Sequence, residues 1–245
     1  MQAGSFALEG GRGVAHWVFT DRDGGFSAAP FGSLNLGRHV GDDTAAVEAN
    51  RQVLSSRVGL HRERVVYMDQ VHGDSIAIVD DGHRVPGATD AIVTTTPALG
   101  LAVLVADCVP VLMVEPRAGV IAAVHAGRKG VRAHVAVKAL QRMVELGADP
   151  AAVHAVIGPA ICGGCYEVPA EMREDVAVHA PAARALTRAG APALDLRAAV
   201  ADELSRHAVA VAVVGPCTAE SVEHYSFRRD GTTGRFAGVV WIADQ

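Results

Sequence analysis

Residues 99–116 read LGLAVLVADCVPVLMVEP, the richest apolar stretch of the chain. Asp107 and Pro110 interrupt the stretch, and prolines at 97 and 116 bound it together with Glu115. A membrane-spanning helix needs about 20 consecutive apolar residues. The stretch therefore predicts two short buried strands, at 101–106 and 109–114, separated by the break at 107–108.

Strand-like segments rich in β-branched residues recur along the rest of the chain, at 14–20, 64–68, 75–79, 91–95, 120–124, 153–157, 209–214 and 236–242. Most of them are continuous apolar runs, which predicts sheets that are covered on both faces. Helices are predicted at 44–58, 130–146, 169–179 and 196–207. Because strands run together between separated helices, the pattern favours an α+β layered fold in a single domain of residues 1–245.

Composition narrows the class of protein. Half of the 245 residues are hydrophobic, which is enough for a sizeable core. The formal charge is −5 and the basic residues are scattered, which argues against a nucleic-acid binder. The first residues lack a basic and an apolar signal region, and four cysteines are too few for a disulfide scaffold. These features predict a cytoplasmic protein that is a monomer or a homodimer. Its expected partners are small molecules, and no membrane association is expected.

Three polar residues end apolar strands and could converge on a metal ion. They are His72 in MDQVHGDS, Cys108 in VADCVP and His125 in AVHAGRKG. Two imidazoles and a thiolate form a three-ligand zinc set, which leaves a fourth coordination position open as in catalytic sites. Each residue has a simpler interpretation, since free cysteine is often a buried hydrophobe and the chain contains eleven histidines.

A second cysteine feature is AICGGCYEV, in which Cys162 and Cys165 form a C-x-x-C. Such a pair is redox-active in some proteins and holds half of a four-ligand metal site in others. The sequence has no second C-x-x-C, and the pair does not open a helix of a thioredoxin-like unit. A tight glycine turn with two incidental thiols is the simplest interpretation.

Several blocks in a fixed order identify a family resemblance. They are FGSLNLGRHVGDD, MDQVHGDS, TDAIVT, VADCVPVLMVEP, AAVHAG, IGPAICGGCYEV and HYSFRRDGTTGRFAGVVWI. With these blocks the chain resembles the laccase-domain (YfiH-like) family, once called multicopper polyphenol oxidases and now regarded as purine nucleoside phosphorylases. The resemblance implies a layered αββα sandwich, with His72, Cys108 and His125 as zinc ligands that are catalytic through the metal.

The resemblance also implies an activity. Family members cleave adenosine and inosine with phosphate to the free base and ribose 1-phosphate; cleavage of methylthioadenosine and adenosine deaminase activity accompany it. In this picture Cys108 is aimed out of a strand, Asp107 points to the opposite face by the period of two, and Pro110 marks the strand break.

The chain departs from the family pattern beside His125. Relatives commonly read HAGWRG, where this chain has Arg128 and Lys129. A lysine is a point charge rather than a bidentate fork. Any phosphate contact carried over to position 129 therefore changes its geometry.

Phosphorolysis requires a cationic pocket for phosphate. The expected substrate-binding residues are Arg51, Lys129 and Arg228, with Arg229 as a neighbouring alternative. Arg228 and Arg229 cannot both point inward if they lie on a strand. Glu167 and Asp74 are the expected proton carriers, and salt-bridge or capping roles remain open for both.

Other functions remain open at this stage. Copper is the alternative metal, in a polyphenol oxidase whose blue site would use Met113 as a weak axial ligand, although the sequence contains no His-x-His pair. A peptidoglycan-editing amidase acting on muramyl precursors is a second alternative, and a binding or scaffold protein with vestigial ligands is a third.

Overall fold

The computed structural model describes residues 1–8, 13–80 and 87–243. The strands in chain order are β1 (Gln2–Ala7), β2 (Val14–Phe19), β3 (Val65–Tyr67), β4 (Ile76–Ile78), β5 (Ala91–Thr94), β6 (Gly100–Val105), β7 (Val109–Glu115), β8 (Val120–Ala126), β9 (His154–Ile157), β10 (Arg184–Leu186), β11 (Pro192–Leu194), β12 (Ala210–Val213) and β13 (Phe236–Ile242). The helices are α1 (Thr44–Val58), α2 (Arg128–Arg132), α3 (Val135–Glu145), α4 (Ala170–His179), α5 (Leu196–Arg206) and α6 (Phe227–Asp230).

The strands form two main sheets. The five-stranded sheet has the order β1-β2-β13-β6-β3, and the six-stranded sheet has the order β12-β9-β7-β8-β5-β4. Most neighbours are antiparallel; β3 with β6, β4 with β5 and β9 with β12 are parallel. A small ribbon pairs β10 with β11. Sequence blocks that are far apart therefore lie side by side, and β13 near the end of the chain pairs with both β2 and β6.

The stretch that reads LGLAVLVADCVPVLMVEP joins the two sheets. Its two halves are β6 in the five-stranded sheet and β7 in the six-stranded sheet, which confirms the prediction of two buried strands. Along β6, Leu101 and Val103 face the other sheet while Leu104 faces outward. Along β7, Leu112 faces inward and Val111 faces outward. Each strand thus contributes side chains to an apolar layer on both of its faces, which explains why its hydrophobic run is continuous.

Helices cover the outer faces of both sheets. The helix α1 begins after Asp43, whose carboxylate accepts a hydrogen bond from the Ala45 amide, and ends at Gly59 with a φ of 73°. Its Leu54 packs on the outer face of the five-stranded sheet. The apolar face of α3 packs on the six-stranded sheet together with α5. The layer order is helix, sheet, sheet, helix, which confirms the α+β class and the αββα sandwich.

The structure differs from the sequence prediction in several elements. The helix predicted at 130–146 is two helices, because His134 adopts a left-handed φ of 61° between α2 and α3. The strands β1, β10 and β11 were not predicted, and neither was the short helix α6. Pro110 lies inside β7, opposite His125, so the strand break falls before it at residues 106–108.

Among the described residues, no helix combines the length and the apolar character that a membrane span requires.

Candidate functional site

Three side chains from separate segments converge at one edge of the space between the sheets. His72 lies in the loop from β3 to β4, Cys108 in the turn from β6 to β7, and His125 near the end of β8. Their ligand atoms all lie within 4.8 Å of one another. His125 is buried, Cys108 is half-buried and His72 is exposed. Sequence positions spread over more than fifty residues therefore form one cluster that opens to solvent on one side.

Asp90 orients this cluster. Its carboxylate lies 2.8 Å from Nδ1 of His125, and since an ionised carboxylate only accepts, Nδ1 is the donor. Asp90 also accepts hydrogen bonds from the amides of His72 at 3.0 Å and Gly73 at 2.6 Å. One fully buried carboxylate therefore fixes the ring of one candidate ligand and the backbone of another. It leaves Nε2 of His125 free to face the sulfur.

The electrostatics of the cluster favour a thiolate. Burial alone raises the pKa of Cys108, but the charge of His125 and hydrogen bonds from His125 and His72 outweigh burial, so the pKa falls below its usual range. Burial lowers the pKa of His125, but the Cys108 charge and the Asp90 hydrogen bond raise it overall. Hydrogen bonds from His125 and backbone amides likewise outweigh burial and lower the pKa of Asp90. The thiolate is the metal-binding form of cysteine.

Gly127 leaves the space that the cluster occupies. A Cβ atom at this position would lie 2.8 Å from Cδ2 of His72 and 3.3 Å from the sulfur of Cys108. The His72 backbone is itself unusual, with a φ of 60°. The two imidazole rings meet edge to face, with centroids 4.7 Å apart. Two imidazoles and a thiolate at this spacing fit a zinc ion with one open coordination position.

A cavity of about 620 Å³ lies directly against the cluster. This volume is typical of small-molecule sites. Its wall combines the three candidate ligands with apolar, aromatic and cationic side chains: His39, Gln70, Val71, His72, Leu104, Val105, Ala106, Asp107, Cys108, His125, Arg128, Lys129, Ile161, Tyr166, Leu196, Phe227, Arg228 and Arg235. A larger cavity of about 940 Å³ lies beside Leu60 and Trp241, away from the candidate ligands.

Four cations among the described residues line the smaller cavity. Lys129 and Arg228 are the two that the sequence analysis named, and Arg128 and Arg235 join them. Arg228 lies over the ring of Tyr166, 4.9 Å from its centroid. Arg235 is held by the carbonyls of Thr233 and Gly234, each at 2.9 Å. The structure thus gathers positive charge beside the candidate ligands, as an anion site requires.

Arg51 is not among the residues that line the cavity. Its side chain is buried, its Nε donates to the carbonyl of Leu36 at 2.9 Å, and its guanidinium lies 3.9 Å from the centroid of the Tyr67 ring. Burial lowers the pKa of Arg51 to about 10. These contacts give the Arg51 side chain, on the inner face of α1, a packing role, and its part in phosphate binding stays a prediction.

Glu167 and Asp74 also lie outside the lining of the cavity. Glu167 is exposed, and its backbone carbonyl accepts a hydrogen bond from Arg228 at 2.9 Å. Asp74 forms an ion pair with Lys138 of α3. The salt-bridge interpretation therefore describes Asp74, and the structure brings neither carboxylate to the candidate ligands.

Asp107, Arg228 and Arg229 lie in other local structures than the strands that the prediction assumed. Asp107 has a φ of 89° and lies in a turn, so the period of two does not apply to it. Its carboxylate accepts from the Thr218 hydroxyl and from the Arg228 amide, both at 2.6 Å. Arg228 and Arg229 lie in a helix, and their side chains still diverge. Arg229 turns to the carbonyls of Thr218 and His224.

Met113 lies on the wrong face for a copper ligand. It packs in the outer core beneath the helices, whereas His125 lies two residues beyond Ala123 on the face of β8 that points to the other sheet. A thioether on the far side of a sheet cannot reach the three ligand atoms. The structure therefore contradicts Met113 as an axial ligand, and with it the blue-copper arrangement that used it.

Several site residues escaped the sequence analysis. Asp90 lies in the TDAIVT block, but a carboxylate before a buried strand has many ordinary roles. Tyr166, Phe227 and Arg235 lie in matched blocks as well, and Phe227 begins the short helix α6. Their shared location depends on long-range pairing, since β13 positions Arg235 beside loops more than a hundred residues away.

Comparison with known proteins agrees with the fold and with the family resemblance. A family model described as multi-copper polyphenol oxidoreductase laccase matches residues 16–243. A purine nucleoside phosphorylase of Streptomyces coelicolor is 54% identical over 231 residues, covering 93% of this chain and 96% of that protein. One from Mycobacterium tuberculosis H37Rv is 50% identical over 227 residues, covering 92% and 91%.

Solved structures are similar over almost the whole chain. A Neisseria meningitidis protein of the DUF152 family is 30% identical with a TM-score of 0.87, and the match covers 99% of each chain. YlmD from Geobacillus stearothermophilus is 34% identical with a TM-score of 0.85, covering 94% of this chain and 92% of that one. These matches confirm the family that the sequence blocks indicated. The chain belongs to the multi-copper polyphenol oxidoreductase laccase family, the laccase-domain (YfiH-like) family.

Proposed function

We propose that this protein is a zinc-dependent purine nucleoside phosphorylase that cleaves adenosine, inosine and methylthioadenosine. The observation that carries the proposal is the convergence of His72, Cys108 and His125 on the wall of a cavity lined by four cations. The names of the relatives from Streptomyces and Mycobacterium support the same reaction.

The reaction defines what the cavity must bind. Phosphate attacks the anomeric carbon of the ribose, a C–O bond forms, and the bond to the purine nitrogen breaks. The bonding electron pair leaves with the purine, which takes up a proton, and ribose 1-phosphate is the second product. The cavity must therefore hold an anion, a sugar and a flat heterocycle together, with the anion in line with the departing base.

The cations of the cavity are suited to the phosphate. Arg128, Lys129, Arg228 and Arg235 all reach the cavity wall. Guanidinium groups bind phosphate oxygens through paired hydrogen bonds, and a lysine adds a point charge. Lys129 and Arg228 are exposed, so solvent and an incoming anion can reach them. We assign phosphate binding to this group and leave Arg51 to its packing role.

Apolar and aromatic side chains are suited to the purine. Tyr166 and Phe227 supply aromatic surface, and Val71, Leu104 and Ile161 supply apolar surface. Burial raises the pKa of Tyr166, so its hydroxyl stays protonated at neutral pH and can donate a hydrogen bond to substrate. A purine placed among these groups lies against the candidate metal ligands.

His72, Cys108 and His125 would hold the zinc ion, and Asp90 would keep the His125 ring in place. When bound, zinc supplies a Lewis acid that can polarise an atom of the purine or activate water. Because zinc can activate water, we propose adenosine deamination as a side activity. The carboxylates named from sequence, Glu167 and Asp74, have no assigned step.

The test is product analysis with zinc-loaded protein. Inosine and phosphate should yield hypoxanthine and ribose 1-phosphate, and adenosine should yield adenine. Omission of phosphate should stop base release, which separates phosphorolysis from hydrolysis; ammonia reports deamination of adenosine. Absence of base release from zinc-replete protein would refute the proposal. A muramyl peptide precursor and a phenolic substrate, assayed in parallel on the same preparation, test the amidase and oxidase alternatives.

A further inference from the structure

A second group of potential metal ligands lies outside the lining of the cavity. Cys162 and Cys165 come from the loop after β9, and Cys217 and Glu220 come from the segment after β12. Their ligand atoms all lie within 4.8 Å of one another. The strands β9 and β12 are parallel neighbours, so the segments that follow them leave the sheet at the same edge. The C-x-x-C is therefore completed by a C-x-x-E, and Cys162 and Cys217 are 55 positions apart in the sequence.

We propose that Cys162, Cys165, Cys217 and Glu220 form a structural zinc site, separate from the cluster at His72. Three sulfurs and a carboxylate oxygen provide four protein ligands, the number that closes a tetrahedral zinc site. Zn–S bonds of about 2.3 Å imply sulfur atoms about 3.8 Å apart around such an ion. The observed separations need little side-chain adjustment to reach this value, and all three cysteines are free thiols.

The backbone around these thiols is already arranged for a metal. The Cys162 amide donates to the sulfur of Cys217 across the two segments at 3.3 Å. The amides of Cys165 and Tyr166 both donate to the Cys162 carbonyl at 3.0 Å, which folds the C-x-x-C into a tight turn. The amide of Thr218 donates to the Ala160 carbonyl at 3.2 Å and aligns the second segment. These bonds hold the three thiols together, and the Glu220 amide donates to the Cys217 carbonyl at 3.1 Å.

Charge balance explains a neighbouring ion pair. Three thiolates and a carboxylate carry more negative charge than one divalent cation neutralises. Arg188 pairs with one carboxylate oxygen of Glu220 and offsets part of the excess. The other oxygen of Glu220 remains available as the fourth ligand. A cluster of this composition suits a thiophilic cation such as zinc better than magnesium or calcium, which prefer oxygen ligands.

The site would clamp the wall of the active-site cavity. The loop that carries Cys162 and Cys165 also carries Ile161 and Tyr166, which line the cavity. The opposite segment carries Thr218, whose hydroxyl donates to Asp107 next to Cys108. An ion at this position would fix two adjoining loops without contact with substrate. Its expected contribution is to stability and to the position of Tyr166 rather than to the chemical step.

Metal content tests the inference independently of catalysis. Protein purified with zinc should carry two zinc ions per chain by elemental analysis. The variant His72→Ala/His125→Ala should retain one, and Cys162→Ser/Cys165→Ser should retain the other. Cobalt bound to the first of these variants should show the intense thiolate charge-transfer absorption of three sulfurs, whereas cobalt at the His72 cluster has a single sulfur ligand.

Glu220 has a matched control nearby. Glu220→Gln should release zinc to a chelator faster than wild type, whereas Glu223→Gln, an exposed glutamate three residues further on, should not. One zinc per wild-type chain with none in the His72→Ala/His125→Ala variant would overturn the inference. A disulfide between any two of these cysteines in unreduced wild-type protein would overturn it too, because it removes two ligands. Both measurements use folded protein in which Cys162, Cys165, Cys217 and Glu220 are unchanged.

Discussion

The substitution Asp90→Asn tests whether one buried carboxylate organises the metal cluster. Asp90 accepts from Nδ1 of His125 and from the amides of His72 and Gly73. Asparagine keeps the shape of the side chain but replaces one acceptor oxygen with an NH₂ donor. Whichever way the amide turns, a donor then faces a donor, either at the imidazole or at the backbone amides. The ring of His125 loses the partner that fixes its orientation and basicity.

The expected cost follows from the role of such partners. Loss of a carboxylate that orients a ligating histidine typically lowers metal affinity about 10- to 100-fold, which is about 1.4 to 2.8 kcal/mol. Zinc affinity is measured by competition with a chromophoric chelator. The binding event that is lost in the His72→Ala variant identifies this site. Asp202→Asn is the control, because Asp202 pairs with Arg206 on the surface of α5. Unchanged affinity in folded Asp90→Asn protein would refute the orienting role.

Three further predictions use other features of the structure. Gly127→Ala places a methyl group 2.8 Å from the His72 ring and should abolish zinc binding at that cluster while the fold persists in circular dichroism; full zinc retention would contradict the packing argument. Arg228→Ala should raise the KM for phosphate about tenfold, the loss of a charge-assisted hydrogen bond of about 1.5 kcal/mol, and an unchanged KM would remove Arg228 from the phosphate site. The hydrogen bond from Arg38 outweighs burial and, with Arg62, lowers the pKa of Glu48 to about 2. Since an unfolded glutamate titrates at about pH 4.3, this stabilisation is complete above that pH and is lost as pH falls toward 2. Glu48→Gln should therefore flatten the acid side of the stability curve, measured by thermal unfolding across that range.

Strands and helices that are marked by local apolar runs or by capping residues could be predicted from the sequence. All ten predicted strands are present, and α1 has the predicted bounds because Asp43 and Gly59 carry the helix signals. The strand β1 escaped because QAGSFA contains small residues and pairs only with β2 at the edge of a sheet. The break at His134 escaped because nothing in the adjacent sequence forbids a continuous helix.

The candidate site shows the same division. His72, Cys108 and His125 stood out because polar side chains end apolar strands, and the family blocks reinforced them. Arg51 is predicted as a phosphate ligand because its charge is visible in the sequence, whereas its burial against Tyr67 is visible only in the structure. Cys217 and Glu220 could not be joined to the C-x-x-C, because the parallel pairing of β9 and β12 brings them together. Long-range strand order is the information that local patterns lack.

Two of the three metal-cluster residues lie where the chain crosses from one sheet to the other. His72 lies on the crossing from β3 to β4, and Cys108 lies on the crossing from β6 to β7. A small slip of one layer past its partner would therefore carry these donors apart, even though no bond near them had broken. If zinc binds these residues as proposed, its loss would therefore report a misalignment of the two sheets, including one that arises far from the site.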